Sequence, residues 1–365
     1  MPAPDSTFTL TQNQTAVTVA LEPVQNILNS MMILNKVNHL SGYSQWIMET
    51  AVALTPQQAH NNLLVLEGLH YAVSPEQSWP AFPAYLDHLA LQDPVELRDL
   101  VINAYATLPC QIEQEPLTLA HPTDMLATLG TFLDYLQSRF TVEKVNIAIE
   151  TEAYALLKNP PAMQGLIVSH LREMWLDYFA AEWERITPML QESVNAFQQL
   201  DLGTLSPTEA AKQVIGQELP EWWQKMLEKF ELAQIIFVPS AHIGPYFRTY
   251  KGERVMRLLF GARLPKGVTI LSPDLSRSEL LVRLSALADD TRLRILHLLG
   301  QRDELCSKDI MTELNLSQSA ASRHLQQLSA TGYLEERWRE GAKCYSLSGD
   351  RIKSTFSAAE QFLLG

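Results

Sequence analysis

Between Gln318 and Gln326 the chain carries Gln318, Ser319, Ser322, Arg323 and Gln326 at helical spacing, so that all five share one face of a helix. Each is a hydrogen-bonding group that needs no burial, and no acid stands among them. Arg can hold O6 and N7 of guanine with both arms of its guanidinium. Gln can pair with the edge of adenine, and Ser can donate to a base or a phosphate. A merely solvated face would be richer in Glu and Lys. The chemistry implied is base reading in the major groove of DNA, which accepts one α-helix.

The surrounding residues supply what such a helix needs. Ala321, Leu325 and Leu328 recur at i, i+4 and i+7 and make an apolar face opposite the polar one. Ser317 is the predicted N-cap and a further candidate DNA contact. A first helix is predicted to follow Ser307, whose hydroxyl would cap it, with Asp309 at its positive end and Ile310 and Leu314 as its buried stripe. Asn315 tolerates the turn between the helices, and Leu316 plugs the joint. After Gly332, Tyr333–Arg339 and Lys343–Leu347 read as two strands around Glu340, Gly341 and Ala342. Arg337, Arg339 and Lys343 flank that tip, where a wing would lie on the sugar-phosphate backbone or enter a minor groove. A winged helix serving only protein contact is the alternative; the acid-free face and the basic ribbon together argue against it. Upstream, SELLVRLSALA and TRLRILHLLG are two more helical stretches, the second with Asp290 as N-cap and Gly300 as stop.

LADDTRLRILHLL, followed by ELCSKDIMTELNLSQSAASRHLQQLSATGYLEERWREGAKCYSL, resembles the ArsR (arsenical-resistance repressor) family of bacterial winged-helix regulators. The resemblance spans about Leu280 to Leu347. It implies a homodimeric repressor on a palindromic double-stranded DNA operator, with the outer helices paired across a two-fold axis. Asp350–Leu363, with Ile352, Phe356, Ala359 and Leu363 at near-helical spacing, would close the dimer. One departure matters. Metal-sensing relatives carry ELCxCDL; here Glu304-Leu305-Cys306-Ser307-Lys308-Asp309 keeps the first cysteine and puts Lys308 in place of the second. A soft ion needs two or three thiolates, and an ammonium repels it. Metal sensing in this module is therefore not expected, and Cys306 reads as a small buried residue.

At 365 residues the chain exceeds one winged-helix module, so more than one domain is expected. The net charge of −13 looks wrong for a DNA binder until it is divided. Residues 1–240 hold 10 Lys and Arg against 27 Asp and Glu, residues 241–275 hold 6 against 2, and residues 276–365 hold 12 against 12. The acid lies away from the reading head, and affinity depends on local phosphate neutralisation. Cys110, Cys306 and Cys344 are odd in number and widely spaced, which suggests neither a disulfide framework nor a zinc motif. No apolar run approaches the roughly 18 residues of a membrane span, and MPAPDSTFTLTQ lacks a signal-peptide pattern. A cytoplasmic protein without membrane partners is expected.

The remainder is mainly helical by pattern, with predicted helices near 23–40, 43–54, 56–71, 93–107, 123–140, 143–158 and 162–186. Thr7–Leu10 and Ala16–Leu21 read as a hairpin near the start. Gln234–Val238, Pro245–Tyr250 and Glu253–Phe260 read as strands near the end, with Lys251 and Gly252 turning between the last two. The expected fold class is mainly α (α+β): a helical domain over 1–264 closed by a small antiparallel sheet, a linker over 265–276 and a winged helix-turn-helix domain over 277–365. No phosphate loop, nucleophile elbow or paired-cysteine motif occurs, so neither catalysis nor a cofactor or metal is expected. Met174–Trp183 packs four aromatics into one helix, either as core or as the wall of an apolar pocket. Trp175 and Tyr178 from that helix, with His242 and Tyr246 from a Pro- and Gly-rich loop, are the candidate residues for a small-molecule effector. The leading expectation is a transcription regulator whose N-terminal domain senses a non-metal effector or partner. An enzyme domain fused to a DNA reader, or an N-terminal body for oligomerisation or protein docking, are the alternatives.

Overall fold

The structure is a computed structural model and describes residues 15–107, 117–141, 145–216, 223–224, 232–252, 254–265, 273–339 and 341–364. The predicted strand Thr7–Leu10 and most of the predicted linker 265–276 lie outside the described residues. Backbone contacts divide the chain into two compact units, Glu22–Pro188 and Met1–Leu21 joined with Met189–Gly365. The later boundary between these units lies between Pro188 and Met189. It falls beside Pro188, inside the helix Ala180–Gln198. The reason is packing: Val194 and Phe197 of that helix belong to the same core as the sheet strands.

The unit Glu22–Pro188 is helical. Its α1 (Pro23–Leu34) is buried at every position, polar residues included, so it is enclosed on all sides rather than amphipathic. Asn62 satisfies part of that buried chain, donating to the Met31 carbonyl at 2.7 Å. Helices α2 (Gln45–Ala53) and α3 (Pro56–Leu63) start at Ser44 and Thr55, whose hydroxyls accept from Ile47 N and Gln58 N. There follow α4 (Phe82–Leu91), α5 (Pro94–Thr107), α6 (Leu129–Gln137), α7 (Ile147–Leu157) and α8 (Pro160–Met174). The four-aromatic stretch lies in a π-helical turn, Trp175–Phe179, and the start of α9 (Ala180–Gln198). Trp175 packs on Phe82 at 5.4 Å and Phe179 on Trp46 at 5.2 Å; of the four aromatics Phe179 is buried and the other three are half-buried.

The second unit contains a four-stranded sheet in the order β1-β2-β4-β3, from β1 (Ala16–Val19), β2 (Gln234–Ser240), β3 (Phe247–Lys251) and β4 (Val255–Gly261). The sheet is mixed, which corrects the antiparallel expectation. Strand β2 runs parallel to both β1 and β4, and only the β3–β4 hairpin is antiparallel. A tight turn forces strands to reverse; the long connection from β1 to β2 does not. Residues 235–240 are all buried, as a central parallel strand should be. Ile235, Phe237, Leu258 and Phe260 pack with α9 and with α10 (Pro207–Ile215) in one apolar cluster.

The same unit carries the winged helix. It comprises α11 (Pro273–Leu287), α12 (Asp290–Gly300), β5 (Leu305–Cys306), α13 (Ser307–Leu314), α14 (Gln318–Ala330), β6 (Leu334–Arg339), β7 (Ala342–Leu347) and α15 (Gly349–Leu364). The three strands form a second sheet in the order β5-β7-β6. Two predicted caps move by one residue: Asp289, not Asp290, accepts from Arg292 N, and α13 begins at Ser307 with Cys306 preceding it. Ser307 Oγ instead donates to the Lys343 carbonyl at 3.2 Å, tying helix to wing. Among the described residues, no helix is long and apolar enough to cross a membrane.

Candidate nucleic-acid interface

Helix α14 divides along its length into two faces. Ala321, Leu325 and Leu328 are buried at 1%, 1% and 0% exposure, in a cluster with Ile295, Leu299, Ile310 and Tyr333. Gln318, Ser319, Ser322, Arg323 and Gln326 are all exposed. Ser317 is also exposed, but its Oγ accepts from Ala320 N at 3.3 Å, so its first task is the cap. Asn315 takes φ 52°, the left-handed conformation needed to turn from α13 into α14. Gly332, at φ 79°, ends α14 and starts the ribbon.

Buried polar groups hold this helix against its neighbours. Tyr333 Oη donates to the Arg283 carbonyl of α11 at 3.2 Å and lies 3.0 Å from Thr355 Oγ1 of α15. Arg292 Nε donates to the Ala286 carbonyl at 2.6 Å, closing the C-terminus of α11. His324 is buried on the α14 face toward Asp289; desolvation holds its pKa below the ordinary value, with Asp289 opposing and Arg292 and Arg323 assisting. Its neutral ring is therefore part of the anchor and adds no cation to the reading face.

The wing is less uniform than the sequence suggested. Register pairs Arg337 with Cys344, Trp338 with Lys343 and Arg339 with Ala342. Side chains alternate along a strand, so Arg337 and Arg339 share one face while Lys343 and Trp338 share the other. Arg337 and Arg339 are exposed, the latter 3.8 Å from Glu304. Lys343 is half-buried and its Nζ lies 2.7 Å from Glu336 Oε2, which spends much of its charge inside the ribbon. Trp338, 65% exposed between the two arginines, was not singled out in the sequence. Its alternation with Arg337 and Arg339 on a predicted strand was the available signal.

The cysteines require a correction. Cys306 and Cys344, 38 residues apart, are joined by a disulfide across the β5–β7 pairing. Cys306 is therefore neither an isolated small residue nor a free thiol in this structure. The sequence hid the bond because the stretch before α13 reads as a loop, and only the third strand sets the two residues opposite each other.

The four candidate effector residues fall in different units. Trp175 packs on Phe82, and Tyr178 Oη donates to Gln58 Oε1 at 3.0 Å, both within Glu22–Pro188. His242 is buried and Tyr246 half-buried in the loop between β2 and β3 of the other unit. The half-buried aromatic pair and the loop pair are therefore two separate candidates. In the helical unit, burial pushes the Glu150 carboxyl up to about 7, against a Tyr105 hydroxyl 3.4 Å away.

Residues 289–336 match the family model described as bacterial regulatory protein, arsR family. The chain is 46% identical over 59 residues to the arsenic resistance transcriptional regulator ArsR1 of Pseudomonas putida, covering 16% of this chain and 45% of that one. It is 49% identical over 51 residues to the arsenical resistance operon repressor of Escherichia coli, covering 14% and 44%. It is 34% identical over 74 residues to a cadmium resistance transcriptional regulatory protein CadC homolog of Staphylococcus aureus, covering 20% and 61%. The chain thus spans about half the length of these curated relatives. Among solved structures, NolR from Sinorhizobium fredii aligns at 31% identity over 26% of this chain and 95% of that one, with a TM-score of 0.21.

Proposed function

We propose that the chain, whose residues 289–336 form an arsR-family helix-turn-helix, is a DNA-binding transcription regulator and not an enzyme. The observation that carries this is α14: a helix buried along one edge presents Gln318, Ser319, Ser322, Arg323 and Gln326 to solvent along the other. The relatives named above, an arsenic resistance transcriptional regulator and an operon repressor, support the same reading. In the finer form the protein is a cytoplasmic repressor that reads a palindromic operator as a homodimer. Support for a second copy comes from α11 and α15, which leave Leu281, Phe356 and Leu363 exposed, Leu363 at 75%. Apolar side chains standing out from paired outer helices are what a self-complementary interface would bury. The rest of the chain would sense a non-metal effector or a partner, which alters DNA affinity only by binding the free and DNA-bound forms unequally.

Arg323→Ala tests the reading face. A lost bidentate base contact costs about 1–3 kcal/mol and relaxes preference at one base pair. Gel-shift titration of the full chain against its operator and against single-base variants should read a roughly 5- to 150-fold loss with flattened discrimination. Unchanged operator affinity would remove the assignment of this face. Arg339→Ala should instead weaken all sequences alike and reduce the slope of log affinity against log salt by about 1. A sequence-selective loss there would make Arg339 a base contact.

A further inference from the structure

The unit that holds the winged helix contains a cavity between the end of the four-stranded sheet and the helices of the DNA reader. Its volume is about 60 Å³, room for roughly four to six water-sized spheres at about 10–15 Å³ each. Its charged lining is uneven. Arg263, just beyond β4, Arg283 on α11 and Arg351 on α15 face a single acid, Glu279 of α11. Three guanidiniums against one carboxylate leave positive charge uncompensated among the described residues, and buried charge without a counter-ion is costly.

Each arginine is held in place by something other than a ligand. Arg263, 7% exposed, donates from Nη1 to the Ile215 carbonyl at 2.8 Å. Its guanidinium occupies the space a Cβ at Gly216 would need, and Gly216 stands at φ 78°. Arg351 Nε donates to the Thr331 carbonyl, at the C-terminal end of α14, at 2.7 Å. Arg283 is bonded to Glu279, yet its buried Nε has no hydrogen-bond partner among the described residues. Burial and the neighbouring Arg283 bring the Arg351 guanidinium down to about 10. Burial works to raise the Glu279 carboxyl, but the three arginines together hold it below its ordinary value. Both directions describe a site with surplus positive charge.

We infer that this cavity binds a small oxyanion, the carboxylate or phosphate group of an effector, between Arg263, Arg283 and Arg351. Arginine forks match such groups with paired hydrogen bonds. Tyr246, Phe260 and Val282 offer an apolar wall beside the charged one. The site also has a route to the DNA reader: its three cations come from the sheet end, α11 and α15, and Arg351 grips the last turn of α14. An anion there alters operator affinity if the free and DNA-bound forms hold the arginines differently. This deepens the regulator reading above and rests on it for the effect on DNA, though not for the binding itself.

The test is calorimetric titration of the full-length chain with inorganic phosphate, and in a second arm with acetate, at ionic strength fixed with sodium chloride. A saturable heat for a single anion per chain, abolished in Arg283→Met, is expected. Saturation by phosphate alone assigns a phosphate ligand and by acetate alone a carboxylate. Operator affinity by fluorescence anisotropy should change by about 5-fold or more between anion-free and saturated protein. Crystals grown with selenate should show an anomalous peak among the three arginines, which decides the matter if Arg283→Met does not fold. An unsaturable response equal in wild type and variant, or a selenate peak elsewhere, overturns the site. Saturable binding with unchanged operator affinity overturns the coupling. Failure to bind any operator would sink the regulator reading, while the isotherm would still judge the site alone.

Discussion

Leu328→Ala lowers the stability of the winged helix by about 2–5 kcal/mol and takes DNA binding with it. Leu328 has no exposed surface and lies where α14 meets α12, α13 and the start of the ribbon. Truncation removes its apolar transfer energy and leaves a void, because close-packed neighbours relax only in part. Gln326→Ala, two positions earlier on the exposed edge, should leave stability within about 0.5 kcal/mol. The two units need not unfold together, so a single melting temperature would mix them. Hydrogen exchange through a urea series, read on peptides covering residues 318–334, isolates the right region. A loss below about 1 kcal/mol for Leu328→Ala would mean the α14 core is not what holds the reading face.

The C-terminal module was legible because its signals are local. Ser317, Asn315, Gly332 and Gly341 each act within a few residues, through a cap or a left-handed backbone, and all four do so in the structure. The apolar face of α14 needs only a period of 3.6 to be seen. What the sequence hid is non-local. The parallel pairing of β1 with β2 joins residues separated in sequence by the whole helical unit and more. The disulfide depends on a two-residue strand that no alternation could announce. Lys343 looked like a free wing cation until the register set Glu336 within its reach. The predicted helix near 162–186 stops short of Val194 and Phe197, and only the contacts of α9 assign these two to the sheet.

The basic stretch Arg248–Lys266 shows how the two kinds of signal combine. Along the chain, its six cations stand against two acids within residues 241–275. In the fold its members part company. Arg257 is buried within β4, Arg263 lines the cavity above, and Arg248 lies over the Tyr250 ring at 5.5 Å. A charge run is therefore not one surface once a strand alternates it between faces. For α14, by contrast, a helical period keeps the five polar groups together on one exposed face.

Opening the Cys306–Cys344 bond costs the winged helix about 4 kcal/mol, the chain-entropy value for a cross-link spanning 38 residues. The bond joins the residue preceding α13 to the central strand of the wing, so reduction frees two elements that flank α14. Oxidised full-length protein should need more urea to expose the β6–β7 amides to hydrogen exchange than dithiothreitol-treated protein. Cys306→Ser should behave like the reduced form under both conditions. Cys344 is fully buried, so its serine variant adds the cost of an unpaired hydroxyl and is the poorer control. In a reducing cytoplasm a disulfide of this kind persists only transiently or as part of a response, and the oxidised and reduced chains should therefore be compared for operator affinity as well as stability. A difference in stability below about 1 kcal/mol would mean that the Tyr333 hydrogen bonds and the Ser307–Lys343 tie already fix the wing, with the cross-link adding little.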